Sequence, residues 1–284
     1  METRQAYPTD LTDAEWRILG PLVPAPAPNG RPADYERREI VNGILYITRA
    51  GCAWRLLPHD FPPWPLVYHY FRQWSRDGTW ERINTALREK VRRAEGHHRQ
   101  PSAALLDSQS VKMTDQAGTR GYDGGKHVTG RKRHLLVDTL GLLLMVVVTA
   151  ANTSDQAGAK QVLERATPQQ PRLKHLWADA GYKGAAFLAW VARHCGWTLE
   201  IVQHLVPTHT FEVQPWRWIV ERTFGWLNRY RRLSKDYEQL PASSEALIRV
   251  AMINLMVQRL AHQRAEKHQQ QRTAKQLALQ QARE

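Results

Sequence analysis

The sequence predicts an α/β domain that follows a small all-α unit. Up to about residue 93, apolar residues recur at the three- and four-residue spacing of amphipathic helices. From Ala103 onward, short apolar runs rich in β-branched residues alternate with helical segments. This alternation is typical of a sheet that is flanked by helices.

The composition indicates a nucleic-acid partner. The chain has 284 residues, of which 42% are hydrophobic, enough for one large or two modest domains. Its formal net charge of +13 favours a polyanion, with nucleic acid as the leading candidate. The longest apolar run is too short to cross a membrane, and two cysteines exclude a disulfide framework or a zinc cluster. Because the first residues lack an apolar signal core, we expect a cytoplasmic protein.

Residues 1–93 are predicted to form a helical unit that binds DNA ends. One helix over residues 35–50 stops at Gly51, and a second covers about residues 66–76 after a proline-marked turn. The second helix presents polar side chains opposite an apolar stripe, which resembles a helix-turn-helix with its recognition helix in the major groove. A helical cap or a dimer surface is the alternative. The predicted groove-facing residues are Arg72, Gln73 and Arg76.

The rest of the chain is predicted to form a second domain over residues 103–261, after a linker over residues 94–102. Its elements follow the order βββαβαβα, with a hairpin that turns near Gly141. This is the order of a ribonuclease-H-like domain, a mixed five-stranded sheet flanked by helices. Residues 262–284 form a basic, Gln-rich tail, which we expect to be a frayed helix or disordered.

Three carboxylates are the candidate catalytic and metal-binding residues. Asp107 and Asp179 each follow a short apolar run, which predicts two strand ends, where α/β sheets bind ligands. Glu221 lies on the amphipathic helix predicted over residues 216–233 and is flanked by arginines. Three hard oxygen ligands are the kind that Mg²⁺ or Mn²⁺ prefers. The competing interpretation of Glu221 is a surface ion pair with Arg217, worth about 0.2–0.5 kcal/mol.

Two basic stretches are predicted to contact DNA phosphates. The first, residues 121–134, places cations among glycines that allow a close approach of the backbone, although a solvated hairpin tip is the alternative. The second is the arginine-rich helix that carries Glu221. The predicted phosphate contacts are Lys126, Arg131, Lys132, Arg133, Arg217, Arg222, Arg229, Arg231 and Arg232.

Several stretches, in order along the chain, resemble one known family. LLDSQSVK, GYDGGKHVTGRKRH, ADAGYKG and RWIVERTFGWLNRYRRL are similar to motifs of DDE transposases of small bacterial insertion sequences. The nearest group is insertion-sequence family five, among the IS4/IS5-like transposases, and the resemblance covers about residues 8–260. It implies that Asp107, Asp179 and Glu221 form the DDE triad, which binds two Mg²⁺ or Mn²⁺ ions per site.

The resemblance implies a transposase that binds the terminal inverted repeats of an insertion sequence. Such an enzyme cleaves the ends and joins the 3′-OH to target DNA by two-metal-ion transesterification. The implied partners are double-stranded DNA, both terminal repeats and target, and a second protomer in the synaptic complex; the implied location is the bacterial cytoplasm, at the nucleoid. Trp216 could stack on a flipped base near a cleaved end, whereas core packing is favoured for Trp226. Two alternatives stay open: a non-catalytic, sequence-specific DNA-binding protein, and a metal-dependent nuclease without strand transfer.

Overall fold

The computed structural model describes residues 4–25, 34–114, 118–202 and 216–281. The α-helices are α1 (Asp13–Leu19), α2 (Arg37–Ala50), α3 (Trp64–Arg76), α4 (Thr79–Ala94), α5 (Asp155–Ala166), α6 (Ala185–Cys195), α7 (Arg217–Asn228) and α8 (Pro241–Gln281). The strands are β1 (Ala103–Lys112), β2 (Gly121–Asp123), β3 (Val128–Asp138), β4 (Leu143–Ala150), β5 (His175–Ala178) and β6 (Thr198–Ile201). Across the described ranges, no helix has the length and apolarity that a membrane crossing requires.

The strands form one mixed sheet. β1 pairs antiparallel with β3 on one side and parallel with β5 on the other, and β6 extends the parallel part. β2 and β4 both pair antiparallel with β3, at different positions along it. The five main strands and their flanking helices fit a ribonuclease-H-like DDE domain. The prediction missed β2, because three residues in a glycine-containing loop are too few to show an alternating pattern.

Both faces of the sheet are covered by helices. On β1, Leu105 packs into a hydrophobic cluster with the N-terminal helices, α7 and α8, while Ala104 and Leu106 pack into a second cluster with α5 and α6. Leu135 and Leu136 of β3 divide between the same two clusters. Because successive side chains point to opposite faces, strands covered on both faces consist of nearly continuous apolar runs.

Helices α1–α4 share their hydrophobic cluster with one face of the sheet. Asn84 and Arg88 of α4 both donate hydrogen bonds to the carbonyl oxygen of Leu143, at 3.0 Å. Arg92, one turn further along α4, forms a buried ion pair with Asp138 at 2.7 Å. The predicted boundary between the two parts of the chain therefore crosses a continuous core, and the division into two functional domains stays a prediction.

Two further predictions about helices concern Gly51 and the C-terminal tail. Gly51 ends α2 in the left-handed conformation, with φ of +79°, as its position after the apolar stripe predicted. The tail was expected to be a frayed helix or disordered, and its residues 262–281 are helical and continue α8 up to Gln281. Among the α8 side chains whose burial is described, Leu260 is the last buried apolar one, and about 30 Å of helix follows it.

Candidate active site

Asp107 and Asp179 lie side by side where the parallel β1–β5 ladder ends. The last paired residues are Leu106 and Ala178, so the two aspartates occupy the next positions of the same register. Both aspartates line one small pocket. The pairing of β1 with β5 thus brings together two of the three predicted acids.

The two aspartates differ in their local structure. Asp179 follows its strand, and its Oδ1 accepts a hydrogen bond from the backbone N–H of Gly181 at 2.9 Å. Asp107 lies within β1 rather than at its end, because β1 continues to pair with β3 as far as Lys112. The backbone N–H of Ser108 donates to Asp107 Oδ1 at 2.6 Å. The prediction of a strand end was correct for Asp179 and wrong for Asp107.

Glu221 lies on the helix that borders this pocket. It is exposed on α7, while the preceding residue, Val220, is buried and lines the pocket together with the two aspartates. Among residues 4–25, 34–114, 118–202 and 216–281, no three or more His, Cys, Asp or Glu side chains are close enough together to hold a metal ion. Asp107 and Asp179, which share the pocket, carry the hard oxygen donors that Mg²⁺ and Mn²⁺ prefer, and Glu221 is next to the lining residue Val220 without lining the pocket itself.

A network of three charged side chains, Lys132, Asp123 and Asp155, lies on the opposite face of the sheet from Asp107. Lys132 Nζ is 3.3 Å from Asp123 Oδ2 and 3.2 Å from Asp155 Oδ1, and Ser108 Oγ donates to the same Asp155 oxygen at 2.7 Å. This Lys132 network ties the residue after Asp107 to β3 and α5. Sequence reasoning missed its role, because its members come from distant segments with no shared motif.

The pKa values of three groups around this network are shifted, one by hydrogen bonding and two by burial. A hydrogen bond from Ser110 lowers the pKa of Asp123 to about 2. Burial raises the pKa of Tyr182 well above its usual value, and the charges of Asp107, Asp155 and Asp179 add to the shift. Burial also lowers the pKa of His134 to about 4. Near neutral pH, therefore, Asp123 is charged while Tyr182 and His134 are neutral.

Two arginines that were predicted to contact DNA are fully buried in β3. Arg131 lies 3.1 Å from Asp236 and donates a 2.8 Å hydrogen bond to the carbonyl oxygen of Glu238. Arg133 donates to the carbonyl oxygen of Leu233 at 2.8 Å, and burial lowers its pKa to about 10. Since both guanidinium groups bind the segment before α8, the prediction that they contact phosphates is wrong.

Lys132 and Arg232 are also buried and paired within the protein, so the prediction that they contact phosphates is wrong for them too. Lys132 is buried between two carboxylates, as described above. Arg232 is buried, forms an ion pair with Glu238 at 2.7 Å and donates to the carbonyl oxygen of Cys52. Lys132 lies on β3, which is covered on both faces, so its charge must find internal partners. Arg232 lies in the short helical turn after α7, where Glu238 and the carbonyl of Cys52 are its internal partners. In the sequence, the cations at 131–133 lead without a break into the apolar residues 135–137. This continuity was the signal that the cations belong to a buried strand.

The other predicted phosphate contacts, where their side chains are described, are exposed or half-buried. Lys126, Arg229 and Arg231 are exposed. Arg222 is half-buried, with its guanidinium carbon 4.5 Å from the ring centroid of Trp218 and 4.7 Å from that of Trp226. The side chain of Arg217 is not among those described. On α3, Gln73 and Arg76 are exposed and Arg72 is half-buried, so the predicted recognition face is accessible and its role stays a prediction.

Trp216 connects the start of α7 to the sheet. Its ring stacks on Trp177 of β5, with a centroid distance of 4.8 Å and an interplanar angle of 6°. The ring is 43% exposed, and the residue has φ of +76°, which is rare for a side chain of this size. Trp226, predicted to lie in the core, is half-buried and packs against the large cluster. Trp216 thus lies beside the pocket, with part of its ring open to a ligand.

A ribonuclease-H-like sheet with one aspartate on a strand, a second directly after the adjacent strand and a glutamate on a later helix is the arrangement of the DDE class of nucleic-acid enzymes. Comparison with known families agrees with this class. Residues 98–256 match the transposase DDE domain, and residues 11–84 match the putative transposases of the IS4/5 family. The chain belongs to the DDE transposases of IS4/IS5-type insertion sequences, as its motifs predicted.

Two similar proteins come from Burkholderia cepacia. The chain is 30% identical over 108 residues to the insertion element IS402 uncharacterized 16.2 kDa protein, covering 36% of this chain and 72% of that protein. It is 29% identical over 119 residues to the putative transposase for insertion sequence element IS402, covering 39% of this chain and 54% of the relative. The chain therefore spans about half the length of the second relative.

Proposed function

We propose that this chain binds the terminal inverted repeats of an insertion sequence, cleaves the ends and joins the freed 3′-OH to target DNA. The observation that carries the proposal is the position of Asp107 and Asp179, which line one pocket in the same register of β1 and β5. A basic protein that only bound DNA would gain nothing from two adjacent carboxylates, because they repel phosphates.

Asp107 and Asp179 hold divalent cations in this proposal, with Glu221 as the third ligand. When bound, such cations supply activation of the attacking oxygen and neutralisation of charge on the leaving oxygen. The chain's contribution is to orient the ligands: the N–H groups of Ser108 and Gly181 fix one oxygen of each aspartate. α7 carries Glu221 next to Val220, which lines the pocket.

DNA recognition is divided between two surfaces in this proposal. The exposed face of α3, with Gln73 and Arg76, contacts the terminal repeat in the major groove. Lys126, Arg229 and Arg231 contact phosphates near the pocket. Since two ends must be joined to one target, two copies of the chain hold them together as a homodimer.

A strand-transfer assay tests the proposal. A labelled terminal-repeat duplex with a free 3′-OH is mixed with a supercoiled plasmid and Mg²⁺, and covalent transfer of label to the plasmid is measured. The wild type and the surface variant Asp13→Asn should join the label, whereas Asp179→Asn should bind the duplex and join none. Nicked plasmid without label would instead indicate a nuclease, and equal joining by Asp179→Asn would refute the assigned role.

The second candidate function is a DNA-binding protein without catalysis. The observation in its favour is that the described residues contain no group of three metal-ligand side chains. In that case the wild type would bind the terminal repeat and give no joined or cleaved product with either Mg²⁺ or Mn²⁺.

A further inference from the structure

A groove of about 300 Å³ lies between the end of α4 and the middle of α8, apart from the aspartate pocket. Its lining includes the exposed Ala94 and the buried Leu260, which are the two apolar residues of the lining. The groove was not anticipated, because its two walls are about 170 residues apart in the sequence.

Cations line both walls of the groove, which we call the α4–α8 groove. Lys90 and Arg93 lie one turn apart on α4, and Arg264 and Lys267 lie one turn apart on α8. All four side chains are exposed. Of these four, only Arg93 has a carboxylate within 4 Å in the described part of the chain, and that contact to Glu89 is long, at 3.9 Å.

The electrostatics of the groove favour a polyanion. Clefts lined by charges of one sign over low-dielectric walls focus the field and raise the local concentration of counter-ions. Glu95 lies nearby, but it accepts a 2.5 Å hydrogen bond from Gln263, across the end of the groove, and so links the two helices. The acids do not cancel the positive potential, because the four cations outnumber Glu89 and Glu95.

The groove is connected to α7, the helix that carries Glu221, by further cations. Arg259 precedes Leu260 on α8, and its guanidinium carbon lies 5.3 Å from the ring centroid of Trp226. The same ring is contacted from the other direction by Arg222 of α7, at 4.7 Å. Arg222 and Arg259 are close enough that Arg259 contributes to the lowered pKa of Arg222, after burial. A positively charged path therefore leads from the active-site helix into the groove.

We propose that the α4–α8 groove binds the sugar-phosphate backbone of duplex DNA, independently of sequence, where the duplex extends away from the cleavage point. The inference rests on the proposed function, since it assumes that DNA occupies the aspartate pocket. Lys and Arg on both walls neutralise the phosphates. The groove contributes affinity and orientation rather than sequence recognition.

Another explanation for Lys90 and Arg93 is interaction with the carbonyl groups in the last turn of α4, where cations are favourable. That explanation does not cover Arg264 and Lys267, which lie in the interior of α8. It also predicts a different experimental result, because cations that only stabilise a helix end would not change the salt dependence of DNA binding.

The test compares two full-length variants that each lose two arginines and one lysine. The groove variant is Arg93→Gln, Arg264→Gln, Lys267→Gln, and the control is Arg172→Gln, Lys174→Gln, Arg193→Gln, whose three cations are exposed outside the groove. Binding of a labelled duplex of random sequence is measured over a range of salt concentrations. Each lost phosphate contact lowers the slope of log K against log salt by about 0.9, so the groove variant should lose about 2–3 units of slope.

The control should keep the wild-type slope to within about one contact. Equal slopes for the groove variant and the wild type would overturn the inference, as would equal losses in the two variants. Cleavage of the terminal repeat, measured in parallel at low salt, separates this inference from the proposed function. If the groove variant has a lower slope than the wild type but the wild type does not cleave, the groove inference is supported and the proposed function is refuted. If the wild type cleaves but the two slopes are equal, the proposed function is supported and the groove inference is refuted.

Discussion

Arg92 attaches helix α4 to the sheet, and replacing it with methionine tests how strongly the N-terminal helices are held there. The Arg92 side chain is buried, and Nη1 lies 2.7 Å from Oδ2 of Asp138, which is fully buried. Arg92 Nε also donates to the carbonyl oxygen of His98 at 2.8 Å. Methionine fills a similar volume with no charge, so the variant leaves the Asp138 carboxylate buried without its ion-pair partner.

The expected loss of stability is about 3–4 kcal/mol. Removing one partner of a buried ion pair costs about 3–5 kcal/mol. Asp138 keeps the N–H donors of Leu140 and Leu142 on its other oxygen, which favours the lower part of that range.

The assay is urea unfolding followed by tryptophan fluorescence at pH 7. The control is Arg93→Met, the next residue on α4, whose exposed ion pair with Glu89 should be worth less than about 1 kcal/mol. The double variant Arg92→Met, Asp138→Asn should be more stable than Arg92→Met alone, because no charge is left buried.

Two results would refute this reasoning. A loss below about 1 kcal/mol in Arg92→Met would mean that α4 is held by apolar packing alone. A double variant less stable than Arg92→Met alone would mean that the hydrogen bonds of Asp138, rather than its unpaired charge, determine the loss of stability.

Three further predictions concern the buried groups of the sheet. Burial lowers the pKa of His134 from 6.5 to about 4, so between these pH values the unfolded chain binds more protons than the folded one. The free energy of unfolding should therefore fall by about 3 kcal/mol as the pH drops through this window. His134→Gln should flatten this part of the plot of unfolding free energy against pH. Asp123, with a pKa of about 2, stabilises the fold above its ordinary value of 3.8 and loses this contribution as pH falls towards 2, so Asp123→Asn should remove that acid-dependent part of the stability. Gly158→Ala should cost about 1–3 kcal/mol in thermal unfolding, because its Cβ would overlap the His134 ring, whereas Gly225→Ala, with open space around it in α7, should gain about 0.5–1 kcal/mol.

The sequence predicted the parts of the fold that depend on local pattern. Helical spacing and Gly51 defined α2, and the apolar runs before Asp107 and Asp179 defined β1 and β5. The same runs placed the two acids on strands that prove to be adjacent. Their common register could not be predicted, because it depends on parallel pairing between segments about 70 residues apart.

The predictions of DNA contacts failed where the charge of a residue was considered without its burial. Arg131 and Arg133 were assigned to phosphates because they lie in a basic, glycine-containing stretch, yet both are paired within the protein. Their partners lie about 100 residues further along the chain, so no local pattern could identify them. Conversely, the cations of the α4–α8 groove were missed, because helical spacing shows which residues share a face but not which helix lies opposite.

The most direct test of the central claim is Mg²⁺-dependent cleavage of a duplex that carries the element's own terminal repeat. Wild type is compared with Glu221→Gln and with Glu164→Gln, an exposed glutamate on α5. If Glu221 is the third carboxylate of the triad, the wild type and Glu164→Gln should cleave the duplex, and Glu221→Gln should bind it without cleavage. Cleavage by Glu221→Gln at the wild-type rate would contradict the account, because the helical carboxylate would then have no part in holding the metal.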